Sequence, residues 1–183
     1  MLFPGGRLPL RIFEQRYVEM LKTCLRDSAP FGVCAIREGK EVGAPATPYD
    51  IGTLAKIVEW DMPQLGLFHI VASGEARFRI LARRVQANGL QRARVEVLDP
   101  ERDAPVAPAA NLCVRLLERV LDEHPEVLAS PPRLDSSAWV SGRLAELLPL
   151  AVHAKQELLE MSDAAARLER LTALLRAGEK EAS

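Results

Sequence analysis

Aromatic residues make up only 5% of this 183-residue chain, and neither sign of charge dominates it. Lys and Arg number 24 against 25 Asp and Glu, a formal net charge of −1. Scarce aromatics leave few platforms on which single-stranded bases can stack. The charge balance disfavours a globally basic nucleic-acid binder, although a local basic face stays open. No apolar run approaches the roughly 20 residues that a membrane span needs, so no membrane partner is expected. The N-terminus lacks the basic stretch followed by an apolar one that marks a signal peptide. Cysteine is sparse: Cys24, Cys34 and Cys113 are widely spaced, no CxxC pair occurs, and His69, His124 and His153 are scattered. Neither a disulfide framework nor a zinc site is expected, and free thiols suit a reducing cytoplasm. The phosphate-cradling GxxxxGK[ST] loop is absent, as are HExxH, GxSxG and GxGxxG. Ser141 and Lys155 can be drawn as a Ser–Lys pair, but any helical region offers one. No catalytic residue, metal ligand or cofactor is therefore assigned.

What is present fits a globular domain: 48% hydrophobic and 27% charged residues, in a chain long enough to bury a core. Up to residue 100, turn signals recur between short apolar runs: Phe31–Arg37, Thr53–Trp60, Leu67–Ala72, Ala76–Leu81 and Gln91–Leu98. Phe78 and Ile80 alternate with Arg77 and Arg79, and Ala93, Val95 and Val97 alternate with Arg92, Arg94 and Glu96. That period of two predicts half-buried antiparallel strands. Ser73–Gly74 and Asn88–Gly89 read as turns, and Asp61–Gly66, with Pro63, reads as a loop. One helix interrupts the strands at Glu14–Leu25, carrying Tyr17, Met20, Leu21 and Cys24 at helical spacing. Asp99–Pro108, with three prolines, reads as a linker. Beyond it the period becomes helical: Ala109–His124 with Pro125 behind it, a helix capped by Asp135 or Ser136 and running to Leu148, then Ala151–Met161. Last comes Ser162–Ala177, ending at Gly178. The expected class is α+β, with a β-rich region over 1–100 and about four helices over 101–183.

The N-terminus is specific. Leu2–Tyr17 reads LFPGGRLPLRIFEQRY, which strongly resembles the opening signature of the Lon substrate-binding (Lon N-terminal) domain family. The match continues through Phe31–Ile36, Val42–Gly43, Gly52–Ala55, Gly74–Ile80 and Ala93–Leu98, and weakly through Leu147–Leu150, Lys155-Gln156 and Arg167-Leu168-Glu169. The signature residues Phe3, Pro4, Pro9, Phe13, Glu14, Arg16, Tyr17, Gly74 and Phe78 read as structural. Pro4 ahead of Gly5-Gly6 forces a turn. Pro9 removes a ladder donor and puts its strand at an edge or bulge. Phe13 is placed to staple the helix, Glu14 suits the helix N-terminus, and Gly74 marks a hairpin or bulge. Gln15 stands where the family usually has Pro. The family pattern also starts several residues earlier, so an unpaired or altered sheet edge is expected at Met1. The resemblance implies a PUA-like β-barrel with one inserted helix, followed by a helical bundle. It also implies a stand-alone form lacking the ATPase and protease domains of full-length Lon, with recognition of protein substrates or partners as its role.

Two partner classes remain. Trp60, Met62, Leu65 and Leu67, apolar residues in turn-rich sequence, can contact exposed apolar segments of unfolded or damaged proteins; alternatively they plug the end of the barrel. Between Ala76 and Val95 lie six arginines and no acidic residue. Four of them, Arg77, Arg79, Arg92 and Arg94, can share one face toward RNA or an acidic partner; alternatively that face is solvated and balanced by Glu14, Glu19 or Glu59.

Overall fold

A computed structural model describes residues 1–40, 45–124 and 131–181. Val42–Gly43 and Pro125 fall outside the described residues. The chain divides into two compact units, Met1–Asp99 and Pro100–Ser183.

The first unit contains β1 (Arg7–Ile12), α1 (Gln15–Asp27), β2 (Phe31–Val33), β3 (Ile36–Glu38), β4 (Thr47–Pro48), β5 (Ile51–Gln64), β6 (Leu67–Val85) and β7 (Gln91–Val97). β6 is its spine. β5 runs antiparallel along one edge of β6, while β1 and then β7 share the other edge, pairing with Phe68–Ser73 and Phe78–Val85. The main sheet follows the order β1-β6-β5-β2, with β7 also on β6, and β3 and β4 form a separate two-stranded sheet. Among the described residues the ladders form open sheets, not the closed barrel that the family resemblance implied. β1 lies at a sheet edge, where the missing Pro9 donor breaks no ladder.

Leu67–Ala72 and Ala76–Leu81 are parts of one 19-residue strand, so the turn expected at Ser73–Gly74 does not exist. Gly74 is there for a different reason. A Cβ on it would sit 2.3 Å from the Phe3 carbonyl oxygen. The Gly5 N–H donates to the Gly74 carbonyl at 2.8 Å, and the Gly74 N–H donates to the Gly6 carbonyl at 2.9 Å. The register also slips beside it, between the Thr53–Arg77 and Ala55–Gly74 pairs, so the bulge reading of Gly74 holds while the hairpin reading fails. The segment docked there is the turn read from Pro4-Gly5-Gly6. The Gly6 N–H donates to the Phe3 carbonyl at 3.0 Å, Pro4 occupies the second position, and Gly5 takes φ 72°, which glycine alone adopts freely. It buries Leu2 and Phe3.

α1 packs Val18, Leu21 and Cys24 into a core with Leu2, Ile12, Phe31, Ala55, Phe68, Ile70 and Ala72. Glu14 is its N-cap residue, and its carboxylate pairs with Arg16 at 2.7 Å. Phe13 is 64% exposed and does not staple the helix; its neighbour Ile12, paired with Phe68, takes the buried place.

The second unit holds a short 3₁₀ turn (Pro108–Ala110), α2 (Asn111–Glu123), α3 (Ser137–Leu147), α4 (Val152–Glu160) and α5 (Ala164–Glu181). The Ser136 hydroxyl accepts from the Trp139 N–H at 3.1 Å, and an Asp163 carboxylate oxygen accepts from the Ala166 N–H at 3.0 Å. These are the caps that shape α3 and α5. Gly178 lies inside α5 and does not end it. Trp139, Val140 and Leu144 are buried, and so are Arg143 and Arg167. Arg143 pairs with Glu146 at 2.9 Å, and Arg167 pairs with Glu101. The Arg167 Nε donates to the Ser141 hydroxyl at 2.8 Å, while Lys155 Nζ donates to the Glu146 carbonyl at 2.8 Å. Ser141 and Lys155 thus serve different partners, and the Ser–Lys pair does not form.

Candidate functional site

The far end of β5 and β6 is shaped by a slip in register. Ile57 pairs with Ala72 and Glu59 with Val71, so Val58 is an extra residue on β5. A bulge of this kind reverses the alternation beyond it. Trp60 therefore joins Ile57 on the Ala72–Ile70 face, and its ring centroid lies 6.4 Å from that of Phe68. β5 continues through Pro63 to Gln64, which pairs with Leu67, so the loop expected over Asp61–Gly66 shrinks to a two-residue turn at Leu65-Gly66.

The hairpin end gathers apolar side chains. Trp60 is 57% exposed, Met62 43% and Leu65 96%, with Leu67 half-buried at the turn. Phe13 follows Ile12, whose partner is Phe68, so the register brings this exposed ring to the same end of the sheet. The sequence pattern marks Phe13 only as a helix staple. Its position after Ile12, at the end of an edge strand, is what brings it here. Trp60, Met62 and Leu65 are thus exposed and not enclosed.

A shallow groove flanks them, lined by Pro9, Arg11, Glu59, Asp61, His69 and Val71. The register aligns Arg11, His69 and Asp61 in one row across β1, β6 and β5, and Arg7 pairs with Glu59. The apolar end thus has a polar rim of both charge signs, the usual anatomy of a protein contact.

Of the four arginines expected on one face, Arg79 lies opposite Glu96, which alternates along β7 with Arg94 and Arg92. Arg77, paired with Thr53, is only 4% exposed. Arg79 pairs with Glu96 at 3.0 Å. A further bulge between Ile80 and Ala82 sets Arg84 directly opposite Arg92, and Arg94 opposite Ala82. Arg83, Arg84, Arg92 and Arg94 are exposed, as is the paired Arg79.

Arg16 and Tyr17, the last of the opening signature, stack on each other at 4.7 Å. Phe78, 2% exposed, lies beside Cys34 and Gly52, where an added Cβ would meet the Cys34 sulfur at 2.5 Å. Burial first, and the Asp50 carboxylate second, push the Cys34 thiol up from 9.0 to about 11. A raised folded-state value favours the neutral thiol, so this stabilisation is complete below pH 9 and is lost as pH rises toward 11. The full shift corresponds to about 2–3 kcal/mol. Urea midpoints measured from about pH 8 to 11 should fall more steeply for the wild type than for Cys34→Ala; parallel curves would show that Cys34 contributes nothing.

Among the described residues, no helix is long and apolar enough to cross a membrane, and no group of three or more His, Cys, Asp or Glu can hold a metal ion. Comparison with known proteins matches residues 1–177 to the ATP-dependent protease La (LON) substrate-binding domain. The Lon protease of Anaeromyxobacter dehalogenans is 30% identical over 96% of this chain, which spans 22% of that protease. Chicken (Gallus gallus) protein cereblon is 33% identical over 60% of this chain and 24% of its own length. The crystal structure of a Lon N-terminal domain protein from Xanthomonas campestris superposes with a TM-score of 0.76 at 36% identity, covering 94% of this chain and 92% of that one. With the signature docked on Gly74 and nearly the whole chain matched, this protein belongs to the LON substrate-binding domain family.

Proposed function

We propose that this chain recognises protein segments without transforming them, and that the apolar end of the β5–β6 hairpin makes the contact. The observation that carries this reading is the joint exposure of Phe13, Trp60, Met62 and Leu65 beside a groove of mixed polar and apolar lining. Family membership supports substrate recognition in general, and unfolded or damaged clients are the finer reading. Trp and Met suit that work, because one supplies a large contact area and the other adapts its shape. The free thiols Cys24, Cys34 and Cys113 suit a cytoplasmic setting.

The test is binding of a chemically unfolded, alkylated carrier protein to the wild type and to a Trp60→Ser/Met62→Ser/Leu65→Ser variant. All three side chains are exposed, so the melting temperature should hold while affinity falls at least tenfold, about 1.4 kcal/mol. Equal affinities would overturn the assignment. A second reading, RNA on the β6–β7 hairpin, is favoured by the Arg84–Arg92 cross-strand pair, since like charges set opposite one another cost stability without a partner between them. Single-stranded RNA in the same assay decides it: steep loss of binding with salt supports the reading, and no binding at low salt removes it.

A further inference from the structure

Within the first unit, α1, the β3–β4 hairpin and the main sheet surround a cavity of about 500 Å³. It is separate from the hairpin end and shares no residue with the groove beside it. Phe78, Ile80 and Val95 from the sheet, Tyr17 and Met20 from α1, and Ile36 from β3 make its walls apolar. Among the described residues, two cations, Arg16 and Arg83, also line it, and no acidic residue does. Its size falls within the usual range of small-ligand sites, which combine apolar walls with a few placed polar groups.

The arginines are set in place by the same short stretch of chain. Arg16 Nη1 donates to the Gly89 carbonyl at 3.4 Å, and Arg83 Nη1 donates to Gln91 Oε1 at 3.3 Å. Gln91 Nε2 in turn donates to the Ala46 carbonyl at 2.8 Å, which fixes the amide with its oxygen free for Arg83. The Arg16 side chain is nine-tenths buried. Its Nη2 pairs with Glu14 at 2.7 Å and its plane lies over Tyr17, yet its Nε has no hydrogen-bond partner among the described residues. A buried guanidinium donor without an acceptor costs about 1–3 kcal/mol or more, so such groups ordinarily meet a protein atom, a water or a ligand.

We propose that this cavity binds a carboxylate carried on an apolar body, with the hydrocarbon against Phe78, Ile80 and Met20 and the head group on Arg16 Nε and the Arg83 guanidinium. Apolar walls select the body; Arg16 Nε, left over after Nη2 is taken by Glu14, and the Arg83 guanidinium select an anionic head. Two sources carry that chemistry: a free acyl carboxylate, and the C-terminal residue of a polypeptide ending in a large apolar side chain.

Calorimetric titration of the full chain tests it with three probes: decanoate, an acetylated pentapeptide ending in leucine with a free carboxylate, and the same peptide as its C-terminal amide. Decanoate, the free-acid peptide, or both should bind; which of them does identifies the source. The amide should bind at least tenfold more weakly than the acid. Arg83→Gln alters an exposed side chain and should retain the fold, checked by circular dichroism, while weakening the acid probe at least tenfold. Arg16→Lys, which keeps the charge but removes the Nε donor, should also weaken it. Absence of binding by both acids up to millimolar concentration, equal binding of acid and amide, or wild-type affinity in Arg83→Gln would each overturn the proposal. The Trp60→Ser/Met62→Ser/Leu65→Ser variant should bind the acid probe unchanged, which separates this site from the hairpin end.

Discussion

Arg167→Ala should destabilise the helical unit by about 3–5 kcal/mol, the usual consequence of removing one member of a buried ion pair. Arg167 is fully buried. Its guanidinium makes three contacts on two segments: Glu101 through an ion pair, and on α3 Ser141 through Nε at 2.8 Å and the Ala138 carbonyl through Nη2 at 3.3 Å. Truncation leaves the Glu101 carboxylate, itself only 13% exposed, without its cation, and removes the donor that ties α5 to α3. Arg143 lies within the same field. Burial lowers its proton affinity, Glu146 opposes that shift, and Arg167 adds to it. Loss of Arg167 therefore relieves some repulsion on Arg143, which trims the penalty without cancelling it. The double variant Arg167→Met/Glu101→Gln should cost less than the sum of its two single changes, because neither remaining side chain carries an unbalanced charge. Urea denaturation of the four proteins measures this. A penalty below about 1 kcal/mol for Arg167→Ala would show that the pair is dispensable, as a solvated pair would be.

Gly74→Ala should cost about 2–4 kcal/mol, within the range of backbone and overpacking effects. The added methyl would meet the Phe3 carbonyl oxygen at 2.3 Å. That oxygen belongs to the main chain of a tight turn and has little room to yield. If the turn lifts away, the two hydrogen bonds between Gly74 and Gly5-Gly6 break, and Leu2 and Phe3 lose their burial. Gly66→Ala is the control. Gly66 has φ 84°, but a methyl placed on it would have nothing within 4 Å, so only the conformational penalty of about 1 kcal/mol applies. Thermal melts that rank the two variants equally would remove the docking role given to Gly74.

The sequence revealed most where a short stretch settles its own structure. The Pro4-Gly5-Gly6 turn, α1, the edge placement of Pro9 and the Ser136 cap all follow from residues within one turn of each other. It failed where a distant segment decides. Ser73-Gly74 has the composition of a turn, but the N-terminal loop presses on it and the strand runs straight through. Arg77 belongs to an alternating pattern that suggests a solvated face, yet it is buried opposite Thr53. Arg167 stands out in the sequence only through a weak family match, since nothing local distinguishes a buried arginine from an exposed one. The candidate contact residues are partly legible: Trp60, Met62 and Leu65 are conspicuous apolar residues in polar surroundings. The bulge at Val58 that turns Trp60 onto the same face as Ile70 has no signature in the sequence, because it is fixed by pairing with β6.

The spine strand also dictates an order of assembly. β1 leaves the ribosome before β6, yet its only ladder partner among the described residues is Phe68–Ser73. At synthesis rates of about 5–20 residues per second, that strand waits several seconds for a mate. β5 and β6, joined across two residues, close as a local hairpin within microseconds of becoming available. The amino-terminal signature thus docks late, onto a template already built, and its prolines and glycines keep it from sticking to a neighbouring chain in the interval.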